Sequence, residues 1–414
     1  MLELGQPMSS TGARLEALES HWRKQEVSLH SLHRSHETLR EELLSLRDEH
    51  EALCDYLRTE GNLTCDALDL QQRARRCSRL LRNVTQGPEL ALALGRCAGV
   101  RAARRVAAVS HTHGVGMRIA LERLAEQVPP EVFVFGGNDG RQPVGLADRL
   151  DLTTGKWEQQ PAAMPTARFG CAAAVAGGSF YVTGGYDSRS PVATTERCEP
   201  DTGEWWPVPP MSSARDGCAA ATVAGLIYVV GGYNGHTRVT TVERFNPADE
   251  SWEVMPPMAS GRSSCAAAAM EGMLYVAGGY DGRTRLKAVE RFDPAKNLWE
   301  VLPPMPTARG GCAAVHVARR LFVVGGHDGF LQPVAVMEAF DPTTGEWTQV
   351  PPMPTARFGL AAVAATGRLF AMGGHDGRRR LAAVECYVPS LGIWEAMEPM
   401  PTARYECAAV AGWR

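Results

Sequence analysis

The sequence has no long hydrophobic run and little net charge. No apolar stretch approaches the roughly 18 residues that a membrane-spanning helix requires, so we expect no membrane partner. The formal net charge of −3 over 414 residues gives no electrostatic reason to expect nucleic acid. The first residues also lack the basic and apolar segments of a secretory signal. The 11 cysteines are therefore expected to be reduced thiols in a cytoplasmic protein, with the nucleus as the alternative.

The sequence also lacks the short motifs of common catalytic and cofactor sites. It has no P-loop, no dinucleotide-binding glycine fingerprint, no nucleophile elbow, no His-Glu-x-x-His and no Cys-x-x-Cys. Five cysteines recur at one position of a repeated unit: Cys171, Cys218, Cys265, Cys312 and Cys407. In the remaining unit Leu360 takes that position, which favours small apolar packing over metal binding. We therefore predict that the protein is not an enzyme and uses no cofactor or metal.

Three sequence markers recur through the last two thirds of the chain. They are Gly-Gly pairs beginning at Gly136, Gly184, Gly231, Gly278, Gly325 and Gly373, then Trp157, Trp205, Trp252, Trp299, Trp347 and Trp394, then Arg168, Arg215, Arg262, Arg309, Arg357 and Arg404. All three series step by 47 or 48 residues, a register that chance does not keep over six periods. The period predicts six copies of one supersecondary unit that must pack side by side to bury its faces.

Each unit carries four strand signals separated by turn formers. In residues 262–305, a small-residue segment, an apolar segment ending at Gly278, an alternating segment and a segment around Trp299 are separated by Glu-Gly, Asp-Gly and Asp-Pro turns. The diglycine after the second strand, the aromatic residue that follows and the spaced Trp resemble the kelch repeat. This resemblance covers about two thirds of the chain. It implies an all-β, six-bladed propeller with one four-stranded antiparallel blade per repeat.

The two ends of the repeat region predict how the ring closes. The first unit starts at Glu131 with its second strand, whereas residues 404–412 are a first strand with nothing after it. We expect residues 404–412 to complete the blade begun at Glu131, because this pairing removes an exposed sheet edge. Residues 106–110 are a competing candidate for the same place. The repeat Trp and the aromatic residues of the third strands are expected to fill the space between blades.

The residues before the propeller, which spans 131–414, divide into three predicted segments. Residues 1–12 are expected to be disordered. Residues 13–60 contain no Gly or Pro and space their leucines three and four apart, as in a coiled coil. A leucine stripe needs a covering helix, so we expect homo-oligomerisation through residues 15–57; the alternative is one amphipathic helix packed against the rest of the chain. Residues 61–130 are basic and are interpreted as a helical linker, with a nuclear-import or nucleic-acid patch as the alternative.

The resemblance also indicates where a partner would bind. Kelch substrate receptors typically bind through the loops between second and third strands and the loops leading into each first strand. The corresponding positions here are Arg168, Phe169, Tyr186, Arg215, Tyr233, Arg262, Ser263, Tyr280, Arg283, Arg309, His327, Phe330, Arg357, Phe358, His375, Arg378, Arg404 and Tyr405. The loop residues Arg141, Arg189, Arg238, Arg285, Arg379 and Arg380 join them.

This set is rich in arginine and aromatic residues, the types that dominate binding hot spots. Arginine presents paired donors to carboxylate and phosphate groups, so we expect an acidic or phosphorylated peptide or protein as ligand. The six repeat arginines have an alternative role, since a residue present in every unit can equally bond to neighbouring loop carbonyls.

These features favour a non-enzymatic interaction module, namely an oligomeric scaffold or recognition subunit. The propeller is similar to that of kelch-like substrate adaptors, which suggests a cullin-type ubiquitin ligase adaptor as one alternative. Those adaptors carry BTB and BACK domains before the propeller, whereas the segment before Glu131 is too short for both and starts as a coiled coil. An actin- or cytoskeleton-organising kelch protein is the second alternative.

Overall fold

The computed structural model describes residues 130–160, 162–200, 202–329 and 332–412. These residues form 24 β-strands, and none of them belongs to a helix long and apolar enough to cross a membrane. The predicted disordered start, coiled coil and linker fall outside this part of the chain, apart from residue 130. Homo-oligomerisation through residues 15–57 therefore stays a prediction.

The strands follow one another with short connections. They are β1 (Glu131–Phe135), β2 (Ala147–Leu150), β3 (Trp157–Gln159), β4 (Ala172–Ala176), β5 (Ser179–Thr183), β6 (Thr195–Cys198), β7 (Trp205–Val208), β8 (Ala219–Val223), β9 (Leu226–Val230), β10 (Val242–Asn246), β11 (Ser251–Met255), β12 (Ala266–Met270), β13 (Met273–Ala277), β14 (Val289–Asp293), β15 (Leu298–Leu302), β16 (Ala313–Val317), β17 (Arg320–Val324), β18 (Met337–Asp341), β19 (Glu346–Val350), β20 (Ala361–Ala365), β21 (Arg368–Met372), β22 (Val384–Val388), β23 (Ile393–Met397) and β24 (Ala408–Gly412).

The strands form six four-stranded sheets, which we call blades 1 to 6. Blade 1 is β24-β1-β2-β3, and blades 2 to 6 are β4–β7, β8–β11, β12–β15, β16–β19 and β20–β23. All neighbouring strands are antiparallel. The first strand of each blade contacts the first strand of the next, in the order β24, β4, β8, β12, β16, β20 and back to β24. The six-bladed antiparallel propeller predicted from the repeat is confirmed.

The C-terminal strand closes the ring. β24 pairs with β1 in a five-residue register that runs from Glu131 opposite Gly412 to Phe135 opposite Ala408. Blade 1 is thus assembled from the two ends of the repeat region, as the sequence predicted. The strand β24 (Ala408–Gly412) occupies the inner place in that blade. The competing candidate, residues 106–110, lies outside the described residues.

The core lies between the blades. Phe292 of β14 packs between Tyr228 of blade 3 and Trp299 of its own blade, with ring-centroid distances of 6.0 and 5.1 Å. The Trp299 indole N–H donates to the carbonyl of Pro256 in the preceding blade at 2.8 Å. The same aromatic arrangement recurs at Phe245. The prediction that these residues fill the space between blades is confirmed, and each such buried ring contributes about 1.5–3 kcal/mol.

The diglycine after each second strand lets two backbones approach closely. Gly278 and Gly279 both lie in the left-handed region, with φ of 63° and 102°. The Gly279 amide donates to the Arg309 carbonyl of the next blade at 2.9 Å, and a Cβ on Gly278 would lie 2.6 Å from that oxygen. Any side chain at Gly278 would therefore push adjacent blades apart.

Candidate partner-binding face

Three segments of every blade meet at one end of the propeller, which we call the loop face. In blade 4, Ser263 before the first strand forms an antiparallel backbone bridge with Tyr280 after the diglycine. Tyr280 forms a second such bridge with Arg285 in the loop between the second and third strands. The Ser263–Tyr280 bridge is made of two backbone hydrogen bonds of 3.0 and 2.8 Å. The equivalent bridged sets are Tyr405–Asn138–Pro143, Phe169–Tyr186–Pro191, Asp216–Tyr233–Arg238, Gly310–His327–Pro333 and Phe358–His375–Arg380. The bridged positions among those selected from the sequence thus lie together on one face.

The six repeat arginines do not reach the surface of this face. The side chains of Arg168, Arg215, Arg262, Arg309, Arg357 and Arg404 are all 0% exposed. The prediction that they contact a partner is wrong, because their guanidinium groups are used inside the blades. Their structural role, the alternative drawn from their presence in every unit, is the one observed.

Arg215 shows what each repeat arginine does. Its Nη1 donates to the carbonyls of Gly231 and Thr241, both at 2.8 Å, and its Nη2 donates to Glu243 at 2.9 Å. Burial acts to raise the pKa of Glu243, but the Ser212 amide and Arg215 hold that pKa below its ordinary value. The side chain therefore joins the end of the second strand to the start of the third with paired, compensated charges.

The acids that pair with these arginines were not singled out from the sequence. They are Glu196, Glu243, Glu290, Glu338 and Glu385, each following its arginine at a nearly constant offset, and Asp148 for Arg404. A signal was present, since an acid follows the first residue of every third strand. An acid at a fixed offset on a buried strand indicates an internal ion pair.

A different group of arginines forms the rim of the loop face. Arg238 lies over both Tyr233 and Tyr280, with Cζ-to-centroid distances of 4.9 and 4.8 Å. Arg285 lies 4.0 Å over Tyr280, and Arg380 lies 5.4 Å over Tyr405. We call Arg238, Arg285 and Arg380 the rim arginines. They are half-buried, held by cation–π stacking, and none forms an ion pair with a carboxylate among the described residues.

Aromatic side chains occupy the other part of the same face. Phe358 contacts His327, His375 and Tyr405 with centroid distances of 5.1, 5.3 and 6.5 Å. His327 itself is only 7% exposed, so it supports Phe358 more than it offers a surface. Burial, together with the nearby Arg285 charge, lowers the pKa of His327 and keeps the ring neutral near pH 7. A group of packed aromatic side chains thus lies next to the rim arginines.

The remaining predicted positions fall into four groups. Phe169 and Tyr186 pack against each other at 5.4 Å and are half-buried on the loop face. Arg283 and Arg378 are exposed at the loop tips, and Ser263 is buried. Phe330 lies outside the described residues, so its place in the site stays a prediction.

The loop aspartates hold the shape of these tips. Asp281 accepts hydrogen bonds from the amides of Arg283 and Thr284, both at 2.7 Å. These amides lower the pKa of Asp281, and the Ser190 and Arg189 amides do the same for Asp187. The carboxylates are already occupied by local amides, so they leave the rim arginines available to an outside anion.

A closed ring of backbone hydrogen bonds surrounds the propeller axis at the loop face. One residue of each blade donates its amide to the carbonyl of the equivalent residue in the preceding blade, at 2.6–2.9 Å. The six residues are Gly170, Gly217, Ser264, Gly311, Gly359 and Glu406. We call this ring the channel mouth. Glu406 takes a left-handed φ of 53°, a conformation that suits the glycines found at four of the other positions.

Two carboxylates lie at the channel mouth. Burial, with the nearby Asp216 charge, raises the pKa of Glu406 to about 7. Burial also raises the pKa of Asp216 to about 6, although the Gly217 amide acts against it. No ion pair joins either carboxylate to a base among the described residues. The mouth is therefore anionic at neutral pH, opposite in sign to the rim.

The raised pKa of Glu406 predicts a measurable cost to stability. The ordinary value is 4.5 and the folded value about 7, so the folded state binds the proton more tightly and this carboxylate destabilises the fold as pH rises through that interval. We expect Glu406→Gln to be more stable than wild type at pH 8, by on the order of 2 kcal/mol. The difference should vanish below pH 4.5. Urea unfolding at several pH values measures it, with exposed Glu204→Gln as the control; equal stability of Glu406→Gln and wild type at pH 8 would contradict it.

The described residues hold no group of three or more His, Cys, Asp or Glu side chains placed to bind a metal ion. The five repeat cysteines are buried free thiols. Burial raises the pKa of Cys171 to about 12 and that of Cys265 to about 11, so these thiols stay protonated. They serve as small packing groups under the diglycines, where Cys171 Sγ would lie 3.2 Å from a Cβ on Gly136.

Comparison with known families agrees with this architecture. A family model described as the KLHDC2/KLHL20/DRC7 Kelch-repeats domain matches residues 124–279, 212–374 and 264–414. No curated protein matches the chain. The overlapping matches cover well over half of the sequence and coincide with the six blades. The chain therefore belongs to the kelch-repeat propeller family, whose fold is generally a protein-interaction module.

Proposed function

We propose that this protein is a non-enzymatic recognition module that binds an acidic or phosphorylated peptide or protein on the loop face. The rim arginines carry the proposal. Three half-buried guanidinium groups are fixed by aromatic rings and have no carboxylate partner in the described part of the chain. Charges held in place without a counter-ion gain energy when an anion binds, and little side-chain entropy is lost in the process.

The geometry around Arg285 supports one anion position between blades 3 and 4. Arg238 and Arg285 both lie within 4.8 Å of the Tyr280 ring centroid. Burial is the main cause that lowers the pKa of Arg285, and charge repulsion from Arg238 lowers it further. Arg285 Nε lies 3.3 Å from His327 Nδ1, which also contacts the Asp328 carbonyl at 2.8 Å. A carboxylate or phosphate bound to either guanidinium group would relieve this repulsion.

The rim variant Arg238→Ala/Arg285→Ala tests the proposal. We expect it to recover partner proteins at least about tenfold less efficiently in affinity purification with mass spectrometry, because it removes two charge-assisted contacts. Its free energy of unfolding should fall by at most about 2 kcal/mol, since the two half-buried side chains lose cation–π contacts but no ion pair. The matched control, Arg319→Ala/Arg368→Ala, removes two arginines from hairpins at the opposite end of the propeller. Equal recovery by wild type and the rim variant would contradict the proposal.

The same purification separates the assemblies that such a module could serve. Cullin subunits among the recovered proteins would favour a ubiquitin ligase adaptor, and actin or its regulators would favour a cytoskeletal role. The geometry of the loop face requires neither cullin subunits nor actin as partners. We favour an oligomeric scaffold or recognition subunit, with several propellers joined through residues 15–57, because linked binding sites raise the overall affinity of weak individual contacts.

A further inference from the structure

Blade 5 receives a side chain of blade 4 at the loop face. The residue after the repeat arginine is Gly310 in blade 5, whereas the other five blades carry a side chain at that position: Phe169, Asp216, Ser263, Phe358 and Tyr405. Gly310 does not lie in the left-handed region, so its backbone conformation does not require glycine. A Cβ on Gly310 would lie 3.0 Å from Cδ and 3.4 Å from Nε of Arg285. The missing side chain therefore makes room for Arg285.

His327 contacts Arg285 in this space through a single ring nitrogen. Its Nδ1 lies 3.3 Å from Arg285 Nε, which is a donor, and 2.8 Å from the carbonyl oxygen of Asp328, which is an acceptor. If Nδ1 carries a lone pair, it can accept from Arg285 but cannot donate to the carbonyl. If Nδ1 carries a proton, it can donate to the carbonyl but then opposes the Arg285 N–H. No single protonation state of His327 satisfies both contacts.

The charges that act on His327 come from Arg285 and Asp328. Burial is the main cause that lowers the pKa of His327, the Arg285 charge lowers it further, and the Asp328 carbonyl and carboxylate act in the opposite direction. Blade 6 contributes the uncharged Phe358 ring at 5.1 Å, and His375 packs against Phe358 at 5.3 Å. An anion that compensates the Arg285 charge would therefore remove one of the two causes that keep His327 neutral.

We propose that His327 positions Arg285 for an anionic ligand and takes up a proton from solvent when the anion binds. This inference rests on the proposed function, because Arg285 is one of the rim arginines. In the free protein the neutral Nδ1 accepts from Arg285, whose Cζ lies 4.0 Å from the Tyr280 ring centroid. In the complex the anion compensates Arg285, and the protonated Nδ1 donates to the Asp328 carbonyl without a movement of the ring. By linkage, the affinity for the anion rises as the pH falls.

The equivalent positions of two other blades provide matched controls. In blade 6 this position is His375, whose Nδ1 accepts from the Gly377 amide at 3.0 Å. The residue of blade 5 that corresponds to Arg285 is Pro333, which carries no charge that could act on His375. In blade 1 the same position is Asn138, so asparagine fits the backbone there. An asparagine side chain can accept from Arg285 but does not titrate.

Inorganic sulfate is the probe, because it stays dianionic at every pH at which histidine titrates. We would titrate the full-length protein with sodium sulfate, against sodium chloride at equal ionic strength, and follow the histidine side-chain nitrogens by NMR. The signal lost in His327→Asn identifies His327. We expect wild type to bind sulfate about fivefold more tightly at pH 5.5 than at pH 8, and sulfate to raise the pKa of His327. His327→Asn should match wild type at pH 8 and lose most of that gain, whereas His375→Asn should keep it.

Three outcomes would overturn the inference: equal sulfate affinity of wild type at the two pH values, an undiminished gain in His327→Asn, or a His327 pKa that sulfate leaves unchanged. A measurement without ligand adds a further check. Arg285→Ala removes a charge that lowers the pKa of His327, so that pKa should rise, and an unchanged value would also contradict the inference.

The rim variant Arg238→Ala/Arg285→Ala separates this inference from the proposed function. Equal sulfate binding by wild type and the rim variant at pH 8 would reject the anion site itself, and this inference with it. Sulfate binding that requires the rim arginines but shows no contribution from His327 would reject only the role of His327.

Discussion

Arg215→Ala should destabilise the propeller by about 3–5 kcal/mol, the range expected when one partner of a buried ion pair is removed. The substitution leaves Glu243 buried without its cation and takes the donor from two strand-end carbonyls that accept it at 2.8 Å. Urea unfolding measures the loss. At this magnitude the variant is expected to express poorly or to aggregate, because the whole stability of a domain is only about 5–15 kcal/mol.

Two further variants separate burial from charge. Arg189→Ala removes an exposed arginine at a loop tip of the adjacent blade and should leave stability within about 0.5 kcal/mol of wild type. Arg215→Leu/Glu243→Leu removes both members of the pair and should be more stable than Arg215→Leu alone, since no unpaired charge remains. If Arg215→Ala kept wild-type stability and lost only partner binding, the arginine would be a contact residue and the internal role described above would be wrong.

Deleting residues 404–414 should have a still larger effect. The deletion removes β24, leaves the edge of β1 unpaired and leaves Asp148 buried without Arg404. It also removes the strand that contacts β20 of blade 6 on one side and β4 of blade 2 on the other. We expect loss of the cooperative thermal transition, since a ring opened at one blade exposes an apolar inter-blade face on each side of the gap.

A synthetic peptide of residues 404–412 tests whether the missing strand is the cause. Added in excess to the truncated protein, it should restore a cooperative transition whose midpoint rises with peptide concentration, as linkage requires for a ligand of the folded state. A protein shortened only by residues 413–414 should melt like wild type. The closed-ring account would be untenable if the chain lacking residues 404–414 melted at the wild-type temperature.

Most of the fold could be predicted because its information is local and repeated six times. The Gly278–Gly279 pair, the spaced Trp299 and the Asp281–Gly282 turn each fix a strand end or a packing position within one unit. The repetition itself implies stacking, as one blade cannot bury two faces. Even the closure was readable, since residues 404–412 match the first strand that the opening unit lacks.

The location of the candidate site could be predicted from the sequence, but its surface arginines could not be distinguished from the buried ones. The loops were assigned to one face correctly, yet two kinds of arginine were grouped together there. Arg262 and Arg285 belong to the same repeat and have the same side chain. One is 0% exposed beside Glu290, and the other stacks on Tyr280 at the rim. An arginine offers the same donors to an internal carboxylate as to an outside one, so residue type alone does not tell them apart.

Local sequence therefore specified the blades, their number and their order, because each depends on turn formers and periodic apolar residues close together in the chain. The closing strand could be predicted because it matches the first strand that the opening unit lacks. Three-dimensional packing determined which charged groups pair inside the propeller and which do not. It brought Glu243 to Arg215 from a different strand, and it placed Asp216 and Glu406 at one opening although they belong to blades far apart in the sequence. Whether a charged group is neutralised inside or left for a ligand depends on which blades lie next to each other, and that neighbourhood exists only once the ring has closed.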